Sequence, residues 1–192
     1  MFEPKPPRRS RLCRPVCFAI LALPLTSAAT PTSLRAQSPA SSTAEDLRGK
    51  PTDPLTSSHG QVVVLLFVRT DCPISNRYAP LFESLSEKFH DRATFWLVYP
   101  DSSESVQQIR AHLSSYHYSL PALRDTHHQL VKRAQATITP EAAVFDPSGK
   151  LLYHGRIDNQ YEELGAPARP AATTHELEDA IKIGRASCRE RV

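Results

Sequence analysis

An unbroken run of apolar residues, half of them β-branched, from Val62 to Phe67 is the feature that most constrains the fold of this chain. Such a run is typical of a β-strand that is buried on both faces of a sheet. Farther along, apolar residues recur at steps of three and four, which predicts a helix directly after the strand; they are Ile74, Tyr78, Leu81, Phe82, Leu85 and Phe89. The pattern indicates a strand that passes through a short turn into a helix.

Cys72 lies at this junction, and the pattern places it at the N-cap of the helix, with Pro73 in the N1 position that proline favours. The partial positive charge of a helix N-terminus favours the thiolate, which is the reactive form of cysteine. Asp71 opposes that effect and Arg69 offsets it, and the sequence leaves this balance open. We therefore predict that Cys72 is a nucleophile. The alternative is a small buried apolar residue, which is how most lone cysteines behave.

The first 36 residues are predicted to be an export signal, because a basic segment with Arg8 and Arg9 precedes an apolar run from Val16 to Leu25. Cleavage after Ala29 or after Ala36 fits the small residues there. The arginine pair is compatible with the twin-arginine route, but the ordinary secretory route is favoured. The run is too short to span a membrane and contains Pro24, so we expect no stable membrane anchor and a periplasmic or secreted protein.

Residues 183–192 match the translation of a sequencing adapter, so we predict that this tail is non-native and that the natural C-terminus is missing; a short basic helical tail is the alternative. The total charge of +3, less +5 in residues 1–36 and +2 in the tail, leaves −4 for the remainder. We therefore expect no nucleic-acid partner. The predicted mature domain keeps a single cysteine, Cys72, which excludes a disulfide framework.

Residues 37–58 are rich in Ser, Thr, Pro and Ala and are predicted to form a flexible linker, or a leader strand, before a single domain over residues 59–182. In that domain the patterns predict strands over 62–68, 93–99, 120–123, 142–145 and 151–157. They predict helices over 73–90, kinked at Pro80, over 103–118, over 126–136 and from about Thr174. This order predicts an α/β three-layer sandwich with a mixed central sheet.

This order, with a cysteine at the first strand-to-helix junction, resembles the thioredoxin fold, and in particular the exported redoxin branch of thioredoxin-like proteins. Cys72-Pro73-Ile74-Ser75 occupies the place of the family's C-x-x-C motif, and Pro80 matches the proline that kinks the same helix. Thr139-Pro140 resembles the family's cis-proline, which lies against the active sulfur and pairs its backbone with a bound peptide. The resemblance thus implies catalytic roles for Cys72, Ser75, Thr139 and Pro140, with Ser75 donating a hydrogen bond to the thiolate.

Two further segments, Tyr153 to Tyr161 and Ala172 to Leu177, are similar to redoxin proteins that carry Asp-Cys-Pro-Ile-Ser. They include His154-Gly155-Arg156-Ile157-Asp158 and Thr173-Thr174-His175, and they have no role that the resemblance implies beyond ordering a loop. Ser75 replaces the second cysteine, so the resolving thiol must be external or lie beyond the present C-terminus. Arg69 and Leu65 stand where peroxiredoxins carry Thr and Pro, which weakens a peroxidase assignment.

The resemblance implies an exported thiol oxidoreductase with antioxidant or disulfide-exchange activity. A protein disulfide or a peroxide is its substrate, an external thiol is its reductant, and no cofactor is required. One alternative is a copper-binding protein that uses Cys72 and a distant histidine, although His112, His117, His127 and His128 are expected to be exposed on helices. Another is a thioredoxin-fold protein that only mediates contacts.

Overall fold

The computed structural model describes residues 43–161 and 167–189. The predicted export signal and residues 190–192 lie outside the described residues. The described residues form seven strands, which are β1 (Ala44–Asp46), β2 (Pro51–Thr52), β3 (Val62–Phe67), β4 (Ala93–Tyr99), β5 (Ala122–Arg124), β6 (Glu141–Phe145) and β7 (Leu151–Gly155). The helices are α1 (Pro73–Arg77), α2 (Ala79–Lys88), α3 (Val106–Ser115), α4 (Gln129–Ala134) and α5 (Glu176–Arg189), with a 3-10 turn at Thr56–Ser58.

All seven strands form one mixed sheet in the order β2-β1-β5-β4-β3-β6-β7. β4 lies between β3 and β5 and is parallel to both. β6 pairs antiparallel with β3 and with β7, and β1 pairs antiparallel with β5 and β2. The parallel pairs require helical crossovers, and the antiparallel β6–β7 pair follows from the tight turn at Asp146 to Gly149. The predicted α/β sandwich with a mixed central sheet is confirmed.

The central strand β3 divides the apolar core into two layers, because successive side chains of a strand point to opposite faces. Val62, Val64 and Leu66 pack on the side that holds Phe82 of α2, Ile109 of α3 and Ile181 of α5. Val63, Leu65 and Phe67 pack on the other side with Leu130 and Ala134 of α4. Full burial of each large apolar side chain stabilises the fold by about 1.5–3 kcal/mol. Because both faces of β3 are buried, the strand contains no polar residues. Packing on both faces also fixes the position of its carboxyl end.

The helix predicted over residues 73–90 is two helices, because the chain breaks at Tyr78 rather than bending at Pro80. A proline inside a helix removes a hydrogen bond and clashes with the carbonyl four residues earlier, here that of Asn76. Starting α2 at Ala79 places Pro80 in the first helical turn, where its missing N–H has no intrahelical partner to lose. The short helix α1 therefore carries the residues after Cys72 as a separate unit.

Residues 37–58 are expected to form a linker or a leader strand, and in the described part of this segment, from residue 43, the leader strand is found: β1 and β2 belong to the sheet. Asp46 closes the turn between them by accepting hydrogen bonds from the N–H groups of Arg48 and Lys50 at 2.8 and 2.9 Å. Gly49 supplies the positive φ, 79°, that this turn requires. Strands of three and two residues are too short to produce a readable alternation, which is why the sequence pattern did not give their bounds.

The remaining helices and strands lie near their predicted positions, with ends that differ by a few residues. α3 begins at Val106 rather than at Ser103, because Ser105 and Gln108 form a reciprocal capping box. α5 continues past Lys182 to Arg189, through part of the predicted adapter-derived tail. Among the described residues, every helix is too short or too polar to cross a bilayer.

Candidate functional site

Cys72 is the N-cap residue of α1 and follows the carboxyl end of β3. Its backbone is extended, with φ −84° and ψ 109°, and Pro73 begins the helix. The backbone N–H of Ser75 donates to the sulfur at 3.5 Å. The thiol is free and partly exposed. The sulfur therefore lies at the N-terminus of a helix, at the N-cap position that the sequence predicted, and accepts a hydrogen bond from the N–H of the third helical residue.

The segment before β6 brings Thr139 and Pro140 to the same place. The Thr139–Pro140 peptide bond is cis. The Cys72 thiol donates to the carbonyl oxygen of Thr139, with sulfur and oxygen 3.5 Å apart. Thr139 and Pro140 also line a cleft with Cys72. The structure thus brings together Cys72, Thr139 and Pro140, which are distant in sequence.

Ser75 is fully buried, and its hydroxyl has no hydrogen-bond partner among the described residues. We expected the hydroxyl to donate to the sulfur, but the group that does so in this structure is the backbone N–H. The difference follows from position: in the first turn of a helix the N–H of the N3 residue points at the N-cap side chain. The Ser75 side chain points instead into the protein.

The cleft beside Cys72 has a volume of about 460 Å³. Most of its wall is apolar, with Ile74, Ile138 and Ile157 among the lining residues. Ile138 is 66% exposed, which is the highest value among the large apolar side chains of the described chain. An exposed apolar residue next to an accessible thiol suits contact with another macromolecule.

Arg69 and Asp71, whose opposing effects the sequence left open, contact each other at the rim of this cleft. Arg69 Nε lies 3.1 Å from Asp71 Oδ1, and its Nη2 lies 2.8 Å from Asp101 Oδ2. The arginine is thus shared between two carboxylates. Because the Asp71 side chain is 69% exposed, solvent weakens its effect on the sulfur.

The loop after β7 forms another wall of the cleft and contains two residues that sequence reasoning did not assign. Asp158 is buried, and its Oδ1 accepts hydrogen bonds from the Tyr78 hydroxyl at 2.5 Å and from the Gln160 N–H at 2.9 Å. Burial, followed by the contact with Asp158, raises the pKa of Tyr78 well above its usual value. Tyr161 packs edge-on against Tyr78, with ring centres 5.0 Å apart. These contacts attach the loop to α1 and α2.

The two segments of unassigned role are joined to each other. Asn159 Oδ1 accepts from the N–H groups of Thr173 and Thr174 at 2.8 and 3.2 Å, and its Nδ2 donates to Thr173 Oγ1 at 2.7 Å. Arg156 Nε donates to Glu176 at 2.8 Å. The segments therefore hold the wall of the cleft that carries Asp158 and Tyr161, which agrees with the expected ordering of a loop.

Glu141 stabilises the turn that leads to Pro140. It is buried, and its Oε2 accepts from the N–H groups of Thr137 and Ile138 at 2.7 and 3.1 Å. Its Oε1 lies 3.3 Å from His154 Nδ1. A carboxylate that satisfies two successive amides constrains the turn strongly, because an unpaired buried amide is costly. Glu141 therefore sets the position of the Ile138 and Thr139 backbone.

A cluster of hydrogen-bonded polar side chains links α1 with α3 and includes His112, which we wrongly expected to be exposed. His112 is 5% exposed. Its Nε2 lies 2.7 Å from Asn76 Oδ1 and its Nδ1 lies 2.8 Å from the Tyr99 hydroxyl. Asn76 Nδ2 in turn donates to the Thr70 carbonyl at 3.4 Å. Burial lowers the pKa of His112, which favours the neutral ring.

His112 is buried because it lies on the same face of α3 as Ile109, which packs in the core. The other three histidines that we considered, His117, His127 and His128, are exposed. His128 caps α4 rather than lying within it. The polar cluster could have been suspected from the three-residue spacing of Ile109 and His112, which places both on one helical face.

Within residues 43–161 and 167–189, no three His, Cys, Asp or Glu side chains come together as a metal site would require. The candidate site therefore consists of a thiol, its backbone hydrogen-bond partners and an apolar cleft.

A family described as thioredoxin-like matches residues 60–151 of the sequence. No curated protein matches the chain. Among solved structures, a secreted Mycobacterium tuberculosis disulfide oxidoreductase homologous to Escherichia coli DsbE is 21% identical, with a TM-score of 0.53, covering 73% of this chain and 94% of its own. The M. tuberculosis protein DsbF is 20% identical, with a TM-score of 0.55, and covers 74% and 93%.

The exposed lipoprotein thioredoxin of Streptococcus pneumoniae is 20% identical, with a TM-score of 0.53, and covers 77% of this chain and 97% of its own. At these identities the comparisons establish architecture. Together with the mixed sheet and its flanking helices, they show that this chain has a thioredoxin-like fold.

Proposed function

We propose that this chain is an exported thiol–disulfide oxidoreductase of the redoxin type, with Cys72 as its nucleophile. One observation supports the proposal most: the sulfur of Cys72 has the Ser75 N–H on one side and the Thr139 carbonyl on another, each at 3.5 Å, at the edge of an apolar cleft. An amide donor stabilises a thiolate, and partial exposure leaves the sulfur accessible to a substrate.

In the first step the Cys72 thiolate attacks one sulfur of a substrate disulfide. A bond forms between Cys72 Sγ and that sulfur, the substrate S–S bond breaks, and the other sulfur leaves as a thiolate that takes a proton from water. In the second step a thiolate of the reductant attacks Cys72 Sγ in the mixed disulfide, so that the remaining substrate sulfur leaves as a thiolate and takes a proton from water. A second reductant thiolate then attacks the reductant sulfur bound to Cys72, which forms the reductant disulfide and releases the Cys72 thiolate. Over the cycle the substrate disulfide gains two electrons, and two reductant thiols are oxidised to a disulfide.

The resolving thiol comes from outside residues 43–184, since Ser75 stands in the place of a second cysteine. A small thiol or a partner protein can supply it. Ser75 supports the thiolate through its N–H, while Thr139 and Pro140 form the edge against which the substrate lies.

A protein disulfide fits the cleft better than a peroxide. Ile138 and Ile74 present apolar surface beside the sulfur, which suits a polypeptide and offers nothing to a small polar oxidant. With a peroxide, the same thiolate would become a sulfenic acid and release an alcohol or water, and an external thiol would restore it. This antioxidant reaction is tested in the same assays.

Export follows from the basic and apolar pattern of residues 1–36, and it would place Cys72 in the periplasm or outside the cell. N-terminal sequencing of protein recovered from the periplasmic fraction tests this part. Cleavage after Ala29 or Ala36 is expected. Protein that stays in the cytoplasm with its first residues intact would contradict it.

Turnover of insulin disulfides with an external thiol reductant tests the function, with hydrogen peroxide consumption measured in parallel. Cys72→Ser should abolish turnover, because a hydroxyl is a far weaker nucleophile than a thiolate. Cys188→Ser is the matched control, since it makes the same replacement in the tail and should leave turnover intact. Unchanged turnover in Cys72→Ser would refute the role of Cys72 as the nucleophile. If the wild type consumes peroxide but does not reduce disulfides, the antioxidant reaction is the function of Cys72.

A further inference from the structure

A buried carboxylate contacts the segment that carries Cys72 from an element distant in sequence. Glu104 is 4% exposed and directly precedes the N-cap of α3. Its Oε1 accepts a hydrogen bond from the Thr70 N–H at 2.6 Å and another from the Thr70 hydroxyl at 2.7 Å. Two donors of one residue thus meet a single oxygen, and this arrangement fixes both the backbone and the side-chain rotamer of Thr70.

The backbone of Glu104 is held in place as well as its side chain. Arg124 Nη2 donates to the Glu104 backbone carbonyl at 3.2 Å. The next residue, Ser105, is the N-cap of α3 and forms a capping box with Gln108. Glu104 is therefore fixed where its Oε1 meets both donors of Thr70, and removing this acceptor would leave the Thr70 N–H without its partner.

Thr70 lies two residues before Cys72 in the turn between β3 and α1. The turn closes through the Cys72 N–H, which donates to the Arg69 carbonyl at 3.3 Å. Asn76 holds the far side of the same turn through the Thr70 carbonyl. The position of the sulfur relative to Ser75 and Thr139 thus depends on where Thr70 is held.

We propose that Glu104 is a positioning residue for Cys72: by binding both polar groups of Thr70 it holds the turn in the form that directs the sulfur toward the Ser75 N–H and the Thr139 carbonyl. The inference rests on the proposed role of Cys72 as nucleophile. Glu104 acts through the turn, because its Oε1 binds both donors of Thr70, whereas its buried Oε2 has no hydrogen-bond partner among the described residues.

The test measures how fast iodoacetamide alkylates Cys72 as a function of pH, which requires no substrate and no reductant. Glu104→Ala removes the acceptor, whereas Glu104→Gln keeps an acceptor oxygen and removes the charge. Other charges that face the Cys72 turn are unchanged in both variants; they are Arg69, Asp71, Asp101, Arg156 and Asp158.

Glu83→Ala is the matched control. Glu83, which is half-buried, also binds the N–H and the hydroxyl of one residue, Ser119, with one carboxylate oxygen for each and the N–H at 2.9 Å, but it lies on α2. Glu83→Ala should lower the thermal stability and leave the alkylation curve unchanged. The general effect of losing a glutamate that binds both polar groups of one residue is thereby measured separately.

We expect Glu104→Ala to slow alkylation at neutral pH about tenfold, because a displaced sulfur loses its amide donor. Glu104→Gln should stay within about threefold of the wild type. Thr70→Val loses only the hydroxyl donor, so its rate of Cys72 alkylation should lie between the rates of Glu104→Ala and Glu104→Gln. This variant takes the place of Glu104→Ala in the test if Glu104→Ala does not fold.

Equal curves for Glu104→Ala and Glu83→Ala would overturn the inference. So would equal shifts to lower pH in Glu104→Ala and Glu104→Gln, since that result would assign a purely electrostatic role. Failure of the proposed function gives a different result: the wild type would then lack disulfide turnover while the Glu104 variants still changed the alkylation of Cys72.

Discussion

The thiol of Cys72 lies 3.5 Å from the carbonyl oxygen of Thr139, although 67 residues separate them in the sequence. β3 and β6 are adjacent and antiparallel in the sheet, so the end of one strand meets the beginning of the other. The segment before β6 therefore forms the surface against which a substrate of Cys72 would lie.

Ile138 is the exposed apolar residue of this surface, and we predict that it contributes to binding of protein disulfides. Ile138→Asp should raise the KM for a protein disulfide about tenfold or more, because a charge then faces an apolar partner. Steady-state kinetics with insulin measure the change. Alkylation of Cys72 by iodoacetamide is the control, and its rate should not change in Ile138→Asp. A KM equal to that of the wild type would show that Ile138 does not contribute to substrate binding.

Ser75 lies one helical turn after Cys72, and its backbone nitrogen is 3.5 Å from the sulfur, so a cysteine there that leaves the inward rotamer of the serine can meet Cys72. Ser75→Cys should form a disulfide with Cys72 under mild oxidation, since the Ser75 hydroxyl has no partner within the described residues and a buried thiol is less polar. Counting free thiols before and after oxidation, by mass spectrometry, measures the bond. The unmodified chain, oxidised in parallel, is the control. Two thiols that stay free in Ser75→Cys would show that the side chains diverge.

His112 should make stability depend on pH. Burial lowers the pKa of its ring below the ordinary 6.5, so the unfolded chain binds the proton more readily than the folded chain. The stabilisation is then complete above about pH 6.5 and is lost as pH falls from there toward the folded pKa. Urea unfolding at a series of pH values measures the slope.

His112→Leu should be less stable at all pH values, by about 1–3 kcal/mol for each buried polar group left unpaired, and its stability should fall less toward acid. Exposed His117 provides the control: His117→Leu should keep the acid dependence of the wild type. If wild type and His112→Leu lose stability in parallel below pH 6.5, His112 does not carry the effect.

Asn159 should hold the loop that carries Asp158 and Tyr161. Asn159→Ala leaves the N–H groups of Thr173 and Thr174 without their acceptor, which should cost about 1–3 kcal/mol. Amide hydrogen exchange in residues 156–161 should accelerate. Asn159→Asp keeps the acceptor oxygen and should show a smaller change; identical exchange in all three proteins would mean that the loop is held by other contacts.

The position of Cys72 could be predicted because it depends on local patterns. Six buried residues in succession predict β3, and the three- and four-residue spacing predicts the helix that follows, so the junction between them is defined without tertiary information. The cleft could not be predicted in the same way. Asp158, Glu141 and Glu104 reach the site through pairings between distant strands and loops, and such pairings leave no periodic signal.

Two other differences between the prediction and the structure also arise from contacts between residues that are distant in sequence. β1 and β2 are too short to show alternation, and their place in the sheet depends on pairing with β5. His112 was expected at the surface because histidine is usually at least partly exposed, yet its burial depends on finding Asn76 and Tyr99 as partners. In both cases tertiary contacts override what the local sequence favours.

The most direct test of the account is to trap the mixed disulfide. The purified chain is treated with an excess of a peptide disulfide, quenched in acid, digested without reductant and analysed by mass spectrometry. We predict that one half of the substrate is attached to Cys72, and that Cys72→Ser carries no adduct at position 72. A Cys72 that remains unmodified while the other thiols of the chain react would contradict the proposal that Cys72 is the nucleophile.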